Sequence, residues 1–176
     1  MRLGSDFYTR DVLCVAPELI GKVLCRRLGE RVLRGQICEV EAYRGEEDTA
    51  CHARVGRTKR TEVLYMAGGH AYVYLCYGIH HLLNVVTGEE GDPQAVLIRG
   101  LAEVSGPGRL TRAFGITLEE NRMDLTTSQE LWLEDGGFSP TIEASRRIGI
   151  GYATQEDQAR LWRFTVGGSP IPPDQP

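Results

Sequence analysis

Residues 39–57 read Glu39-Val-Glu-Ala-Tyr-Arg-Gly-Glu-Glu-Asp-Thr-Ala-Cys-His-Ala-Arg-Val-Gly-Arg57, and the chain changes character within them. Up to Tyr43 they continue a run from Gln36 in which Ile37, Cys38, Val40 and Ala42 supply the apolar side chains of a strand; at Arg44-Gly45 the run breaks into a polar loop. Side chains two apart in a strand leave the same face. Glu39, Glu41 and Tyr43 are therefore expected on one face, and Cys38, Val40 and Ala42 on the other. The loop that follows carries His52, Arg54, Arg57, Lys59 and Arg60. A proton acceptor, an aromatic platform, an imidazole and phosphate-seeking charge thus meet at one strand end, which suits work on a nucleic-acid base.

Outward from this strand, Val23 to Leu28 and Arg31 to Tyr43 read as a hairpin turning at Gly29-Glu30, so the acidic strand is its second arm. Upstream, Thr9 or Asp11 is placed to cap a short helix running toward Gly21, with Pro17 in an early turn or at a break. Downstream, Thr61 to Met66 reads as helix, capped by Thr61 and stopped by Ala67-Gly68-Gly69. His70 to Tyr77 and His80 to Thr87 are the clearest strands, a hairpin joined at Gly78-Ile79 with Tyr77 beside the turn. Tyr72 and Tyr74 share a face of its first arm; Tyr72 is expected to pack and Tyr74 to work. After the loop Gly88 to Pro93, an apolar strand from Ala95 ends in Arg99, a cation that packing does not require. Ser105-Gly106-Pro107-Gly108 leads into a helix from Arg109 to Phe114, and Leu131 to Leu133, Ile148 to Ile150 and Leu161 to Val166 supply further strands around a turn at Asp135-Gly136-Gly137. Antiparallel hairpins mixed with short helices predict an α+β fold.

A chain of 176 residues fits one domain, read as 1–168, followed by a mobile proline-rich tail at 169–176. Neither a leader-like apolar run nor a stretch long enough to span a bilayer occurs, so a soluble, cytoplasmic monomer is expected, nucleoid-associated if bacterial and with no membrane partner. The five cysteines include no C-x-x-C pair, and Cys14, Cys25, Cys38 and Cys76 lie among apolar residues as reduced core thiols do. His52, His70, His80 and His81 lack metal-ligand spacing, which leaves a metal-dependent hydrolase built on them with Glu41 or Asp48 as the weaker enzyme reading. A net charge of −4 works against nucleic acid unless the cations at Arg26, Arg27, Arg31 and Arg34 and from Arg54 to Arg60 form a one-sided surface. Outside enzymes, the rival is a module that recognises distorted DNA, distinguished by whether free base is released.

If the substrate is a damaged nucleotide in a duplex, it must be extruded, at a cost of a few kcal/mol that is least for a damaged base. Tyr77 on a rigid turn is the wedge to fill the gap, and Tyr43 and Tyr74 are walls for the flipped base to stack on. Cleaving the N-glycosidic bond leaves positive charge on the sugar; Glu41 is placed to stabilise it and to take the proton of an attacking water. Arg99 would orient the carboxylate and water or hold the adjacent phosphate, His52 would hydrogen-bond the base edge, and Glu39 is expected in a structural ion pair.

The strings Glu-Ala-Tyr-Arg-Gly-Glu-Glu-Asp with Ala-Cys-His, Ala-Tyr-Val-Tyr-Leu-Cys-Tyr-Gly-Ile-His-His with Asn84, Ala-Val-Leu-Ile-Arg, Gly-Pro-Gly-Arg-Leu-Thr-Arg-Ala and Arg-Ile-Gly-Ile, in one order from about Phe7 to Val166, resemble the alkyladenine (3-methyladenine) DNA glycosylase family. The resemblance implies a single compact domain with a curved antiparallel sheet, and a monofunctional glycosylase of base excision repair that acts on alkylated or deaminated purines in double-stranded DNA without metal or cofactor. It matches Glu41 to the general base and Arg99 to the arginine that helps hold the water. Tyr43, His52 and Tyr74 match the base pocket, Tyr77 the intercalating side chain, and Asn84 the residue that discriminates against an undamaged guanine amino group. Arg54, Arg57, Lys59 and Arg60 are then DNA-backbone contacts, with Arg109, which stands where a lysine is common, so that its phosphate contact can differ in geometry.

Overall fold

The computed structural model describes residues 1–168; the proline-rich tail read at 169–176 lies outside them. The chain follows the predicted α+β plan, with short helices around a mostly antiparallel sheet. Its spine is the 14-residue strand β2 (Arg31–Arg44). The first half of β2 pairs with β1 (Val23–Leu28) through the expected Gly29-Glu30 turn, in a register that sets Leu28 against Arg31. Its second half pairs with β5 (Gln94–Leu101) along one edge and, beyond the end of β1, with β9 (Arg163–Val166) along the other. The hairpin of β3 (Ala71–Cys76) and β4 (His80–Thr87) extends the sheet past β5, giving the path β3-β4-β5-β2-β1-β7, where β7 is Leu131–Glu134. Two short strands complete it: β6 (Val104–Ser105) on β5 and β8 (Ile142–Ser145) on β9.

One face of this sheet is closed by α1 (Ser5–Tyr8) and α2 (Val12–Leu19). Asp11, of the two proposed caps, accepts the Leu13 N–H at 2.9 Å, satisfying one donor that the helix cannot. Val12, Val15, Ala16 and Leu19 recur at helical spacing and are buried in the same core as Ile37, Val40 and Ala42 of β2. Each such side chain contributes roughly 1.5–3 kcal/mol through apolar area removed from water, Ala less. That core is what fixes β2 in place.

Several local readings need correction. Pairing between β2 and β5 is irregular at Cys38 and Glu39, so the alternation slips there: Ile37 and Val40 face the same core, while Cys38 stands half-buried outside it. Cys14, expected in the core, is exposed because the helix stripe that packs is 12, 15, 16 and 19. Glu62–Tyr65 forms one 3₁₀ turn, and the Thr61 hydroxyl donates to the Gly56 carbonyl instead of capping it. The helix read at Arg109–Phe114 is α3, Pro107–Ala113. Ile148 to Ile150 is a bend with Gly149 at φ +71°, which an extended strand cannot contain. Of the basic group at Arg26–Arg34, Arg26 is buried against Glu120 at 2.6 Å, whereas Arg27, Arg31 and Arg34 are exposed, with Arg34 3.8 Å from Glu134.

Candidate active site

From Val40 onward the predicted alternation of β2 holds, and with Val40 and Ala42 in the core Glu41 and Tyr43 emerge together on the opposite face. Glu41 is fully buried. Its Oε1 accepts the backbone N–H of Ile148 at 2.6 Å and its Oε2 accepts the Tyr43 hydroxyl at 2.7 Å. Arg99 on β5 donates from Nε to Glu39 Oε1 at 3.1 Å and stands 3.6 Å from Glu41 Oε1. Arg163 on β9 donates to the same Glu39 oxygen at 2.7 Å, so two carboxylates and two guanidiniums interleave across three strands. Glu39 is thus the ion-paired partner expected. Gly100, opposite Glu39, makes room for it, since a Cβ there would lie 3.3 Å from Cys38 Sγ and from Glu39 Cβ.

Burial raises the Glu41 pKa above its ordinary value; Arg99, the Ile148 amide and the Tyr43 hydroxyl pull it back, and Glu39 adds to the rise. A carboxylate can accept about four hydrogen bonds. With one bond on each oxygen, Glu41 keeps acceptor capacity for a water.

Beside Tyr43 opens a cleft. Tyr43, Tyr72, Tyr74, His52 and Tyr152 form its aromatic walls, with Asn84, Cys51, Leu64, Ala50 and Ala95 between them. Glu41 is not itself part of the lining; it sits behind the Tyr43 phenol, and its charge helps raise the pKa of Tyr74, after burial, Cys76, Tyr72 and Tyr152. The His52 and Tyr74 rings meet edge-on with centroids 4.6 Å apart, and Tyr72 and Tyr74 are 5.3 Å apart. Burial, then Arg60 and Arg54, push the His52 pKa down to about 4, so the imidazole is neutral at physiological pH. Its Nδ1 is 2.8 Å from the Tyr72 hydroxyl. Asn84, across the ladder from Tyr72, donates its amide to the Tyr72 carbonyl at 3.2 Å. A larger cavity along the 44–48 loop carries Asp11, Glu46, Glu47, Asp48 and Asp92 against Arg44 and Arg160, and that excess of acids does not suit a phosphate.

The hairpin delivers Tyr77 as read from the sequence: it is 92% exposed at the tip, with Ile79 next to it at 68%. Tyr77 has φ +50°, a left-handed conformation that costs a non-glycine residue about 1–2 kcal/mol. A large apolar ring held strained and bare is unaccounted for by packing.

Cations stand over the cleft walls. Arg60 lies over the Tyr74 ring at 5.5 Å and Arg54 over the Tyr152 ring at 4.8 Å, while Arg57 covers Tyr65 at 5.4 Å and Lys59 is exposed. On the other side Gly108 of α3 packs against His80, where a Cβ would be 3.1 Å from the ring, bringing the exposed Arg109 near the hairpin. Sequence reasoning missed Arg163, Tyr152 and the Ile148 amide, none of which has a local signal. Tyr72 packs as expected, buried with Val63, Leu64 and Tyr65, and it also lines the cleft. Among the described residues no cluster of His, Cys, Asp and Glu could hold a metal ion, and no helix is long and apolar enough to cross a membrane.

The family model for methylpurine-DNA glycosylase matches residues 6–105 and 102–170. Proteins named "Putative 3-methyladenine DNA glycosylase" match along nearly their whole length. The one from Borreliella afzelii (strain PKo) is 41% identical over 93% of this chain and 95% of its own. That from Sodalis glossinidius is 44% identical over 92% and 95%, and that from Methanocella arvoryzae 43% over 96% and 94%. On these matches the chain belongs to the methylpurine-DNA glycosylase family, enzymes that hydrolyse N-glycosyl bonds.

Proposed function

We propose that this protein flips alkylated or deaminated purines out of duplex DNA and hydrolyses their N-glycosidic bond with a water activated by Glu41, leaving an abasic site. The observation that carries the reading is the setting of Glu41, buried with two donors and a guanidinium yet one phenol away from an aromatic cleft. A raised pKa makes its carboxylate a stronger base than an exposed glutamate, and Arg99 beside it favours the ionised form. As the bond breaks, the same negative charge opposes the positive charge growing on the sugar. Arg99 holds the carboxylate from the β5 side. Tyr43 and the Tyr72, Tyr74 and His52 group offer ring faces to the flipped base, roughly 1–3 kcal/mol of stacking that offsets much of the extrusion. His52, neutral, presents a ring nitrogen to the base edge, and Asn84 reads the edge from the floor. Tyr77 fills the gap left in the duplex, while Arg54, Arg57, Lys59, Arg60 and Arg109 meet the phosphates on either side. Attack by water leaves no enzyme amine bonded to the sugar, so no strand cleavage follows.

Duplexes carrying 3-methyladenine, 7-methylguanine, hypoxanthine or ethenoadenine test this when scored for free base. Glu41→Gln should still bind the lesion duplex and lose about 10²- to 10⁴-fold in single-turnover excision. Wild-type-like base release by that variant would refute Glu41 as the base.

A further inference from the structure

We propose that Arg147, clamped by Asp48, is a positioning residue: it sets the Ile148 amide against the Glu41 carboxylate and backs the Tyr43 wall of the cleft. This rests on the reading of Glu41 as the base.

The Arg147 side chain is completely buried, and its guanidinium makes a forked pair with Asp48, Nη1 to Oδ2 at 2.7 Å and Nη2 to Oδ1 at 2.9 Å. Nη1 also donates to the Ala42 carbonyl at 2.9 Å, on the strand residue between Glu41 and Tyr43. The planar group lies between two rings, 4.8 Å from the centre of Tyr43 and 5.0 Å from that of Trp162. Arg147 does not line the cleft, so it covers the face of Tyr43 turned away from a bound base. Asp48 in turn accepts the Arg44 and Ala50 amides, which ties the start of the 44–52 loop, and with it Cys51 and His52, to the same bracket. The residue after Arg147 supplies the N–H that Glu41 accepts at 2.6 Å. Residues 99 apart in sequence are thus locked so that one backbone donor meets one acid. Arg is suited to this because its flat fork binds a carboxylate in two places while stacking on rings; a lysine offers the charge without the plane.

The charged and titratable groups facing Glu41 are Glu39 and Tyr43 on its own strand, Arg99 on β5, Arg163 on β9 through Glu39, Tyr74 on β3 and Arg147 itself. If the bracket slackens, the Ile148 amide leaves Glu41, whose ionised form loses a donor, and the acid limb of the rate profile moves to higher pH. Asp48→Asn separates this from a direct charge effect. Losing a nearby negative charge would by itself move Glu41 toward lower pH, the opposite way.

The experiment compares wild type, Arg147→Lys and Asp48→Asn in single-turnover release of hypoxanthine from a duplex across pH 4.5–9, with thermal melting and binding to a duplex carrying an uncleavable abasic analogue. Both variants should melt cooperatively and bind the analogue like wild type, lose about 10- to 100-fold in rate, and shift the acid limb upward. A wild-type rate and limb in either variant overturns the proposal. So does a downward shift in Asp48→Asn, or loss of cooperative melting in both, which would make the pair a pillar of the fold with no separate part in catalysis. Absence of base release by wild type would instead strike the reading of the enzyme, before the bracket is in question.

Discussion

The hairpin that carries Tyr77 and the bracket that carries Glu41 are built on opposite principles. The pairing that shapes the hairpin tip is local: Cys76 pairs with His80, Leu75 with His81 and Tyr74 with Leu82, and the turn between them buries nothing. The bracket is assembled from remote parts, Glu41 meeting Ile148, Asp48 meeting Arg147 and Glu39 meeting Arg163. One presents a side chain to a partner outside the protein; the other withholds an acid from water so that its pKa rises. Strain at the tip is exposed and cheap to keep, while charge in the bracket is buried and stays folded only if every partner is present.

Asp48→Ala breaks that comparison hardest. It leaves the Arg147 guanidinium buried without its counter-charge, and removing one member of a buried pair costs about 3–5 kcal/mol. Urea unfolding should show a lower midpoint at an unchanged slope, the product of slope and midpoint shift giving that loss. A loss under about 1 kcal/mol, as for a surface pair, would mean that the bracket does not hold the C-terminal segment.

These two regions also differ in how far the sequence discloses them. The hairpin is legible because β-rich residues, a glycine turn and a two-residue period all lie within one stretch. The phase that puts Glu41 beside Tyr43 is legible for the same reason, although the irregularity at Cys38 could not be foreseen, since it depends on pairing with Gly100. Arg-Ile-Gly-Ile reads as a strand by composition, yet its use is to bend at Gly149 and hand one N–H to Glu41. Nothing within ten residues of Arg147 announces Asp48. Arg26 misled for a related reason: a cation in a polar-looking run became a buried partner for Glu120, which also accepts the Thr117 amide at 2.7 Å.

Glu41→Gln sharpens the contrast in the pH dimension. A carboxyl whose folded pKa lies above the ordinary 4.5 binds a proton in the folded state that it has lost in the unfolded one. The stability tied to that proton is fully present below pH 4.5 and is lost as pH rises through the folded value. Glutamine carries no such charge, can still accept the Ile148 amide and can donate to the Tyr43 oxygen. The variant should therefore melt above wild type at pH 8 and converge with it near pH 4.5. Parallel melting curves at the two pH values would show that Glu41 is not desolvated in solution. The least active variant at the site would then be the more stable one, as expected where function maintains a buried charge.

Tyr77→Ala has the smallest effect on the fold and so isolates the hairpin's share. Tyr77 is 92% exposed and among the described residues its ring makes no hydrogen bond or core contact, so folding stability should change by under about 0.5 kcal/mol. Alanine inherits the positive φ, so strain is not relieved and cannot mask the result. What is lost is a stacking surface for the opened duplex, worth roughly 1–3 kcal/mol per base, or about 10- to 100-fold in affinity for a lesion duplex. A fluorescent base analogue opposite or beside the lesion reads this directly, because it brightens when neighbours unstack. Tyr77→Trp should restore both signal and affinity, as a larger ring on the same turn. Unchanged brightening with Tyr77→Ala would transfer the wedge to Ile79, the other bare side chain of the tip, and would leave the division of labour between hairpin and bracket intact while moving it by two residues.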